Sequence, residues 1–321
     1  MKTIGIFCGG FSSEFEISIK SATTILQHMP PTFSAYKIIV SKEKWEVETE
    51  EGAKAFDLND CSFVKGNIKI TLDAAIVYIH GDPGENGKIQ AMLELHGIKY
   101  INSGPLASAL SFDKWYCNQF LKSFDIPVAK SLFLTKKEQF TPTEIVENLG
   151  LPLFIKPSDS GSSYGISKVK NIEEIPNALT LAFKEGGTVV IESFLDGIEV
   201  TCGVYRSSKG ISALPLTEIV SENDFFDYEA KYLGKSNEIT PARIEDSIAI
   251  EVQSMAKEIY SLLQLRSIAR VDFMLVKNKP YVIEVNTTPG FSTASIVPQM
   301  LAAAKISLDE FWEDIISIEL D

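Results

Sequence analysis

Two short segments near the C-terminus hold the residues best placed to do chemistry. The first runs Arg270-Val-Asp272-Phe-Met274-Leu-Val276. The second runs Tyr281-Val-Ile-Glu284-Val-Asn286-Thr-Thr-Pro-Gly290, and a Lys-Asn-Lys-Pro turn joins them. Read as strands, they alternate. Arg270, Asp272 and Met274 share one face of the first strand. Val282, Glu284 and Asn286 share one face of the second. A hairpin centred on Asn278 sets Asp272 beside Glu284, Met274 beside Val282 and Arg270 beside Asn286. Facing carboxylates repel unless a cation lies between them. Asp, Glu and Asn present oxygen ligands, which suit Mg²⁺ and the phosphates that accompany it. A plain solvated hairpin face is the competing reading, but such a face seldom mixes Arg, Asp and Met with Val, Glu and Asn.

Other segments could hold a phosphate compound. Leu153-Phe-Ile-Lys156-Pro157 is an apolar strand carrying one cation. A Gly/Ser loop follows, with Gly161-Ser162-Ser163. A buried lysine needs a partner, and Gly/Ser loops bring backbone N–H groups onto phosphates. The Walker spacing is absent, and no Gly-x-Gly-x-x-Gly follows the first strand, which argues against an NAD-binding dehydrogenase. Val189-Val-Ile-Glu192 ends an apolar run on a carboxylate. His80-Gly-Asp-Pro-Gly84-Glu85-Asn-Gly87 is a tight loop after a strand, where glycine permits close approach to a ligand. Phe225-Phe-Asp-Tyr228-Glu-Ala-Lys231-Tyr232 is aromatic and charged within an irregular stretch at Ser221–Ile239, the pattern of a lid.

These pieces need positioning elements. Residues 1–100 alternate strands (Thr3–Cys8, Tyr36–Val40, Ala74–His80) with helices. Ser13 and Glu16 have capping-box spacing for a helix to about Gln27. A second helix spans Ile89–Leu95 and stops at Gly97. The pattern implies a parallel, doubly wound sheet with ligands at the carboxyl ends of its strands. A helix over about Pro105–Phe124 carries Lys114. Strands follow at Ser131–Leu134, Leu153–Lys156, Gly165–Val169 and Thr188–Glu192. The last third holds a helix at about Asp246–Leu263, the hairpin, and a closing helix capped by Ser307 with Glu310.

Composition limits the function. The chain has 321 residues, 45% hydrophobic and 23% charged, enough for a sizeable core in two or three domains. A net charge of −13 argues against binding a nucleic-acid backbone. No leader segment is expected, and no apolar run reaches the ~20 residues a membrane span requires. Cys8, Cys61, Cys117 and Cys202 are scattered, so neither a zinc site nor a disulfide framework is expected, and the setting is a reducing cytoplasm.

Taken in order, the motifs resemble one family. They are Gly9-Gly-x-Ser-x-Glu14-x-x-x-Ser18, the His80-Gly-x-x-Gly-Glu-x-Gly loop, Lys156-Pro with Gly161-Ser162-Ser163, Tyr228-Glu-Ala-Lys231-Tyr232, Arg270-x-Asp272, and Glu284-x-Asn286-x-x-Pro-Gly290. The chain resembles the D-alanine–D-alanine ligases of the ATP-grasp superfamily from Gly9 to nearly its end. The resemblance implies an α/β (α+β) ATP-grasp fold. Its parts would be an N-terminal doubly wound substrate-binding domain (1–102), a small central domain (103–192) and a C-terminal mixed-sheet catalytic domain (193–321).

The resemblance also implies ATP-dependent joining of two D-alanines through an acyl phosphate. Lys114 and Lys156 are then expected on the ATP phosphates. Glu192, Leu195 and Glu199 fall at the adenine and ribose end, and Phe194 and Met274 around the adenine. Asp272, Glu284 and Asn286 are expected to bind two Mg²⁺ (or Mn²⁺). Arg270 and the Gly290 N–H would stabilise the oxyanion. Glu14 would hold the first ammonium, with His80 nearby. Ser295 and Ile296 belong to the second substrate. Glu14, Ser162 and Tyr232 would close the lid, and Lys231 would reach the nucleotide. The Lys231-Tyr232 pair is similar to the dipeptide type rather than to the D-serine or depsipeptide ligases. Ser193 and Ala294 depart from residues frequent in the family (Lys and His), and Ile296 stands for a common Leu. Members commonly form homodimers, so a second copy is an expected partner.

Overall fold

The computed structural model describes residues 2–137, 140–159, 161, 164–221 and 236–320. Three sheets carry these residues. The first contains β1 (Lys2–Gly9), β2 (Phe33–Val40), β3 (Trp45–Thr49), β4 (Gly52–Asp57), β5 (Ser62–Lys65), β6 (Ile68–Thr71), β7 (Ala74–Val77) and β8 (Lys99–Ile101). Its order is β6-β5-β4-β3-β2-β1-β7-β8. The inner strands β2, β1, β7 and β8 run parallel, as the alternating pattern implies. Beyond β2 the sheet continues as an antiparallel meander through β3 to β6, which the strand–helix reading did not anticipate. Both faces of β1 are buried. Ile4, Ile6 and Cys8 enter one core and Phe7 the other, so the strand reads as an unbroken apolar run.

The second sheet comprises β9 (Ser131–Thr135), β10 (Leu153–Pro157), β11 (Ser167–Val169) and β12 (Thr188–Ser193), in the order β11-β10-β12-β9, all antiparallel. Helices Pro142–Leu149 and Ile175–Glu185 close its core. The third sheet comprises β13 (Ile198–Ser207), β14 (Gly210–Ala213), β15 (Thr217–Ser221), β16 (Ser236–Ile239), β17 (Ile268–Val276) and β18 (Lys279–Asn286). Its path is β16-β15-β13-β17-β18, with β14 beside β13. Part of the stretch read as irregular is thus strand β16. Helix Asp246–Leu262 packs against this sheet.

Local chemistry explains where some elements depart from expectation. The helix read as Pro105–Phe124 is two, Pro105–Phe112 and Lys114–Lys122. Asp113 between them is extended, and its carboxylate accepts the Tyr116 N–H at 3.1 Å. An Asp N-cap therefore overrides an apolar pattern that runs through it. The capping box proposed for Ser13 and Glu16 does not form. The helix is Phe15–Gln27 with Glu14 at its N-cap and no side-chain cap. Ser12 Oγ instead accepts the Glu14 N–H and donates to the His80 carbonyl. The closing helix, Leu308–Leu320, has its box: Glu310 accepts from the Ser307 N–H, and Ser307 Oγ accepts from the Glu310 N–H.

An aromatic cluster joins the first sheet to the C-terminal elements. Phe291 lies 5.9 Å from Tyr78, 5.6 Å from Phe311 and 5.1 Å from Trp312, ring centre to ring centre. No described helix is long and apolar enough to cross a membrane. Phe291 is fully buried. Phe291→Ala is therefore expected to destabilise the protein by about 3–5 kcal/mol, read as a lower urea midpoint.

Candidate active site

The three sheets converge on one cleft of about 460 Å³. The β17–β18 hairpin forms its floor. Arg270 pairs with Asn286 and Asp272 with Glu284, as the sequence implied. The turn is Lys277-Asn278, both at positive φ (50° and 66°), the two-residue type that matches strand twist. A bulge at Ile283 then restores the Asp272–Glu284 pairing. The position of the turn also corrects the expected partner of Met274, which is Tyr281. Val282 pairs with Phe273 in the core instead of sharing the Glu284 face, and Ile283 lines the cleft.

Countercharge surrounds the two carboxylates. Asp272 accepts from Arg270 Nε and Nη2, both at 2.8 Å, from Asn286 Nδ2 at 3.0 Å, and from Thr201 Oγ1 across β13–β17. Glu284 faces Lys114 Nζ at 3.4 Å. An all-oxygen donor set that already draws two cations is chemically fitted to a hard divalent ion. Lys114 opens its helix, and its N–H bonds the Ser158 carbonyl at 2.8 Å.

The second sheet supplies the opposite wall. Lys156 and Glu192 form an ion pair at 2.7 Å, with both side chains under one-tenth exposed. Asn118 Nδ2 donates to the other Glu192 oxygen at 3.0 Å. The pairing answers why a lysine sits in an apolar strand, and loss of either partner would leave a buried charge. Leu195, Glu199 and Met274 line the cleft beside them. Phe194 is not among the lining residues. Its ring packs on Phe154 at 6.1 Å with Lys168 4.1 Å above it, and Phe154 lines the cleft in its place.

The first sheet and the Thr287–Ser295 segment complete the site. His80 is buried, and burial lowers its pKa, with Glu14 opposing. Its Nδ1 lies 2.8 Å from the Thr288 carbonyl and its Nε2 3.2 Å from Ser21 Oγ. This pattern assigns the neutral tautomer protonated on Nδ1. Tyr78 donates to the Pro289 carbonyl, and the Phe291 N–H donates to Ser21 Oγ. These bonds tie the Gly290 backbone to the first sheet. Glycine is required in the His80 loop at Gly84, where a Cβ would stand 2.4 Å from the Ile79 carbonyl oxygen. Glu14, Gly290, Ser295 and Ile296 all line the same cleft.

The whole chain matches one group of proteins. Residues 3–103 match the family model described as D-ala D-ala ligase N-terminus, and residues 120–317 the model described as D-ala D-ala ligase C-terminus. The D-alanine–D-alanine ligase of Flavobacterium johnsoniae is 44% identical over 322 residues, covering 100% of both chains. The chain belongs to the D-alanine–D-alanine ligase family. Its mixed α/β, three-sheet ATP-grasp fold agrees with solved members. The D-alanyl-alanine synthetase A of Vibrio cholerae superposes with a TM-score of 0.89 at 32% identity, covering 99% of this chain and 98% of that one. The Bacillus anthracis D-alanine–D-alanine ligase complexed with ATP gives 0.80 at 28% identity, covering 100% and 98%.

Ser162, Lys231 and Tyr232 lie outside the described residues of this ligase-family chain. Gly161 is described, and a Cβ on it would stand 3.3 Å from Glu14 Oε2. Sequence reasoning assigned no role to Thr201, Asn118, Phe154, Glu238 or Glu85. Thr201 reaches Asp272 only because β13 lies beside β17, a neighbour relation across 71 residues that no local pattern reveals. Glu85 was visible in its loop. It accepts the Gly81 N–H at 2.7 Å, and burial, with Glu14 and Glu284 adding to it, pushes its pKa up to about 7.

A carboxyl whose pKa is raised on folding holds its proton more tightly in the folded state. Its stabilising contribution is complete below the unfolded value of 4.5 and is lost as pH rises to about 7. The loss amounts to about 3 kcal/mol. Urea midpoints of the parent protein and Glu85→Gln, compared from pH 4.5 to 8, should converge at the acid end, with the variant the more stable at the alkaline end.

Proposed function

We propose that this chain joins two D-alanines into D-alanyl-D-alanine at the expense of ATP, giving ADP and phosphate (EC 6.3.2.4), as a cytoplasmic supplier of peptidoglycan precursor. The observation that carries the reading is the meeting of the facing carboxylates, Asp272 and Glu284, with Lys114, Lys156 and Arg270 in one cleft. We assign residues 1–102 to substrate binding, 103–192 to the central part of the ATP grasp and 193–321 to its catalytic part. A homodimer is the proposed assembly.

ATP lies along the wall between the second and third sheets. Glu192, Leu195 and Glu199 meet its adenosine end, with Phe154 and Met274 bordering the base and Phe194 packed behind Phe154. Lys114 and Lys156 meet its phosphates, and Lys231 joins them. Asp272, Glu284 and Asn286 would hold two Mg²⁺ or Mn²⁺ ions, which would supply positive charge to the phosphate oxygens. Glu14 accepts hydrogen bonds from the ammonium of the first D-alanine, beside His80. The γ-phosphoryl passes to the carboxylate of that D-alanine.

The resulting acyl phosphate is attacked by the amine of the second D-alanine, whose carboxylate is met by Ser295 and the helix start at Ile296. Arg270 and the Gly290 N–H bear the negative charge of the tetrahedral oxyanion, and phosphate leaves. Water must stay out, because it would hydrolyse the acyl phosphate. We assign the closing of the lid that excludes it to Ser162 and Tyr232, acting with Glu14.

The test is ADP release with ATP and Mg²⁺, with the product identified by mass. D-alanine alone should give D-alanyl-D-alanine, and L-alanine none. Turnover only with a mixed pair, D-alanine with D-serine or D-lactate, would replace the dipeptide reading by that of a variant ligase. Arg270→Ala should lower kcat by about 10²–10³.

A further inference from the structure

Two carboxylates that line the cleft have no part in the reaction above, Glu85 and Glu238, and Glu85 already accepts the Gly81 N–H. Glu238 projects from β16, whose neighbour β15 holds Ile219 opposite it, and lines the cleft with Arg270 and Ser295. Its position is fixed. Gln299 Nε2 donates to Glu238 Oε2 at 2.8 Å and to the Ala294 carbonyl at 3.1 Å. One amide nitrogen thus pins the carboxylate against the segment that enters helix Ile296–Ala303. The other oxygen, Oε1, makes no hydrogen bond to a described residue. Burial raises the Glu238 pKa, with Gln299 and Arg270 pulling it down. A carboxylate held in this way is short of a hydrogen-bond donor that also carries positive charge.

The surroundings indicate which donor fits. Ser295 is the N-cap of helix Ile296–Ala303, and its Oγ lies 2.8 Å from Ser292 Oγ. Two hydroxyls and the free N–H groups of a helix start form a place for a carboxylate. Glu238 stands on the neighbouring wall with the opposite sign. A zwitterionic amino acid carries both charges on one carbon and satisfies both walls together. A hydroxy acid of the same shape satisfies the first but offers Glu238 only a neutral hydroxyl, without the positive charge that strengthens the bond.

We propose that Glu238 is a specificity-determining residue of the second-substrate pocket. Its free oxygen accepts hydrogen bonds from the nitrogen of the incoming amino acid and so selects an amino acid over a hydroxy acid. Ammonium and neutral amine both donate to a carboxylate, so the contact serves at binding and survives loss of the proton before attack. Gln299 is the positioning residue that holds Glu238 in place. The inference rests on the ligase reading above and deepens it at one subsite.

The experiment measures steady-state dipeptide formation over a wide range of D-alanine, which separates the KM values of the two substrate molecules. The parent protein, Glu238→Gln and Glu238→Asp are compared. D-lactate is also set against D-alanine as the second substrate. In Glu238→Gln the second KM should rise about tenfold or more. The first KM and the KM for ATP should stay unchanged, and the share of D-lactate product should increase. Glu238→Asp keeps the charge and should fall between the two. An active parent whose second KM and product ratio do not respond to Glu238→Gln would overturn the role of Glu238 alone, as would a parallel rise in both KM values. A parent protein that forms no dipeptide would overturn the ligase reading itself.

Discussion

Two carboxylates held face to face inside a cleft are the constraint on which the rest of this structure depends. Asp272 and Glu284 are directly opposed on β17 and β18. Their repulsion is tolerated because Arg270, Lys114, Asn286 and Thr201 surround them. Those partners come from the hairpin itself, from the helix that begins at Lys114, and from the neighbouring strand β13. On the proposed reading, a site that concentrates negative charge in this way would receive metal-bound phosphates, which bring positive ions and take up the lysines. The same logic is repeated in the second sheet, where Lys156 and Glu192 neutralise one another. Each ion pair is an interaction that a charged ligand can exchange for its own.

The sheets divide the work of holding this charge. The third sheet fixes the register of the carboxylates through a type I′ turn and one bulge. The second sheet presents a buried lysine on an apolar strand. The first sheet, through Tyr78, His80 and Ser21, grips the segment running from Thr288 to Phe291. The aromatic contacts of Phe291 then carry that grip into the closing helix. Distortion of any one sheet would change the spacing of charges that belong to the others. The cleft is therefore a property of the whole chain rather than of one motif.

Much of this was legible in the sequence because it rests on local patterns. Two-residue alternation placed Asp272 and Glu284 on one face, and the apolar run Leu153–Ile155 marked Lys156 as buried. The Asp272–Glu284 pairing followed even though the turn was placed half a residue away, because the Ile283 bulge compensates. The half-residue difference in the turn gives Met274 the partner Tyr281 in place of Val282, while the bulge, which no periodicity argument sees, hides that difference at Asp272. The cap at Asp113 was hidden by apolar residues on both sides. Thr201, Asn118 and Glu238 were illegible for a different reason. Their roles depend on which strands and helices become neighbours, and those neighbours are distant in sequence. The antiparallel extension of the first sheet was missed because short strands of mixed polarity, such as Gly52–Asp57, carry little alternation.

The most direct measurement is a count of Mn²⁺ ions bound in the presence of ATP, made by electron paramagnetic resonance on the parent protein and on Glu284→Gln. The account predicts two ions per chain in the parent and loss of at least one in the variant, with the fold retained. An unchanged count in Glu284→Gln would contradict it, because the facing carboxylates would then not be what holds the metal.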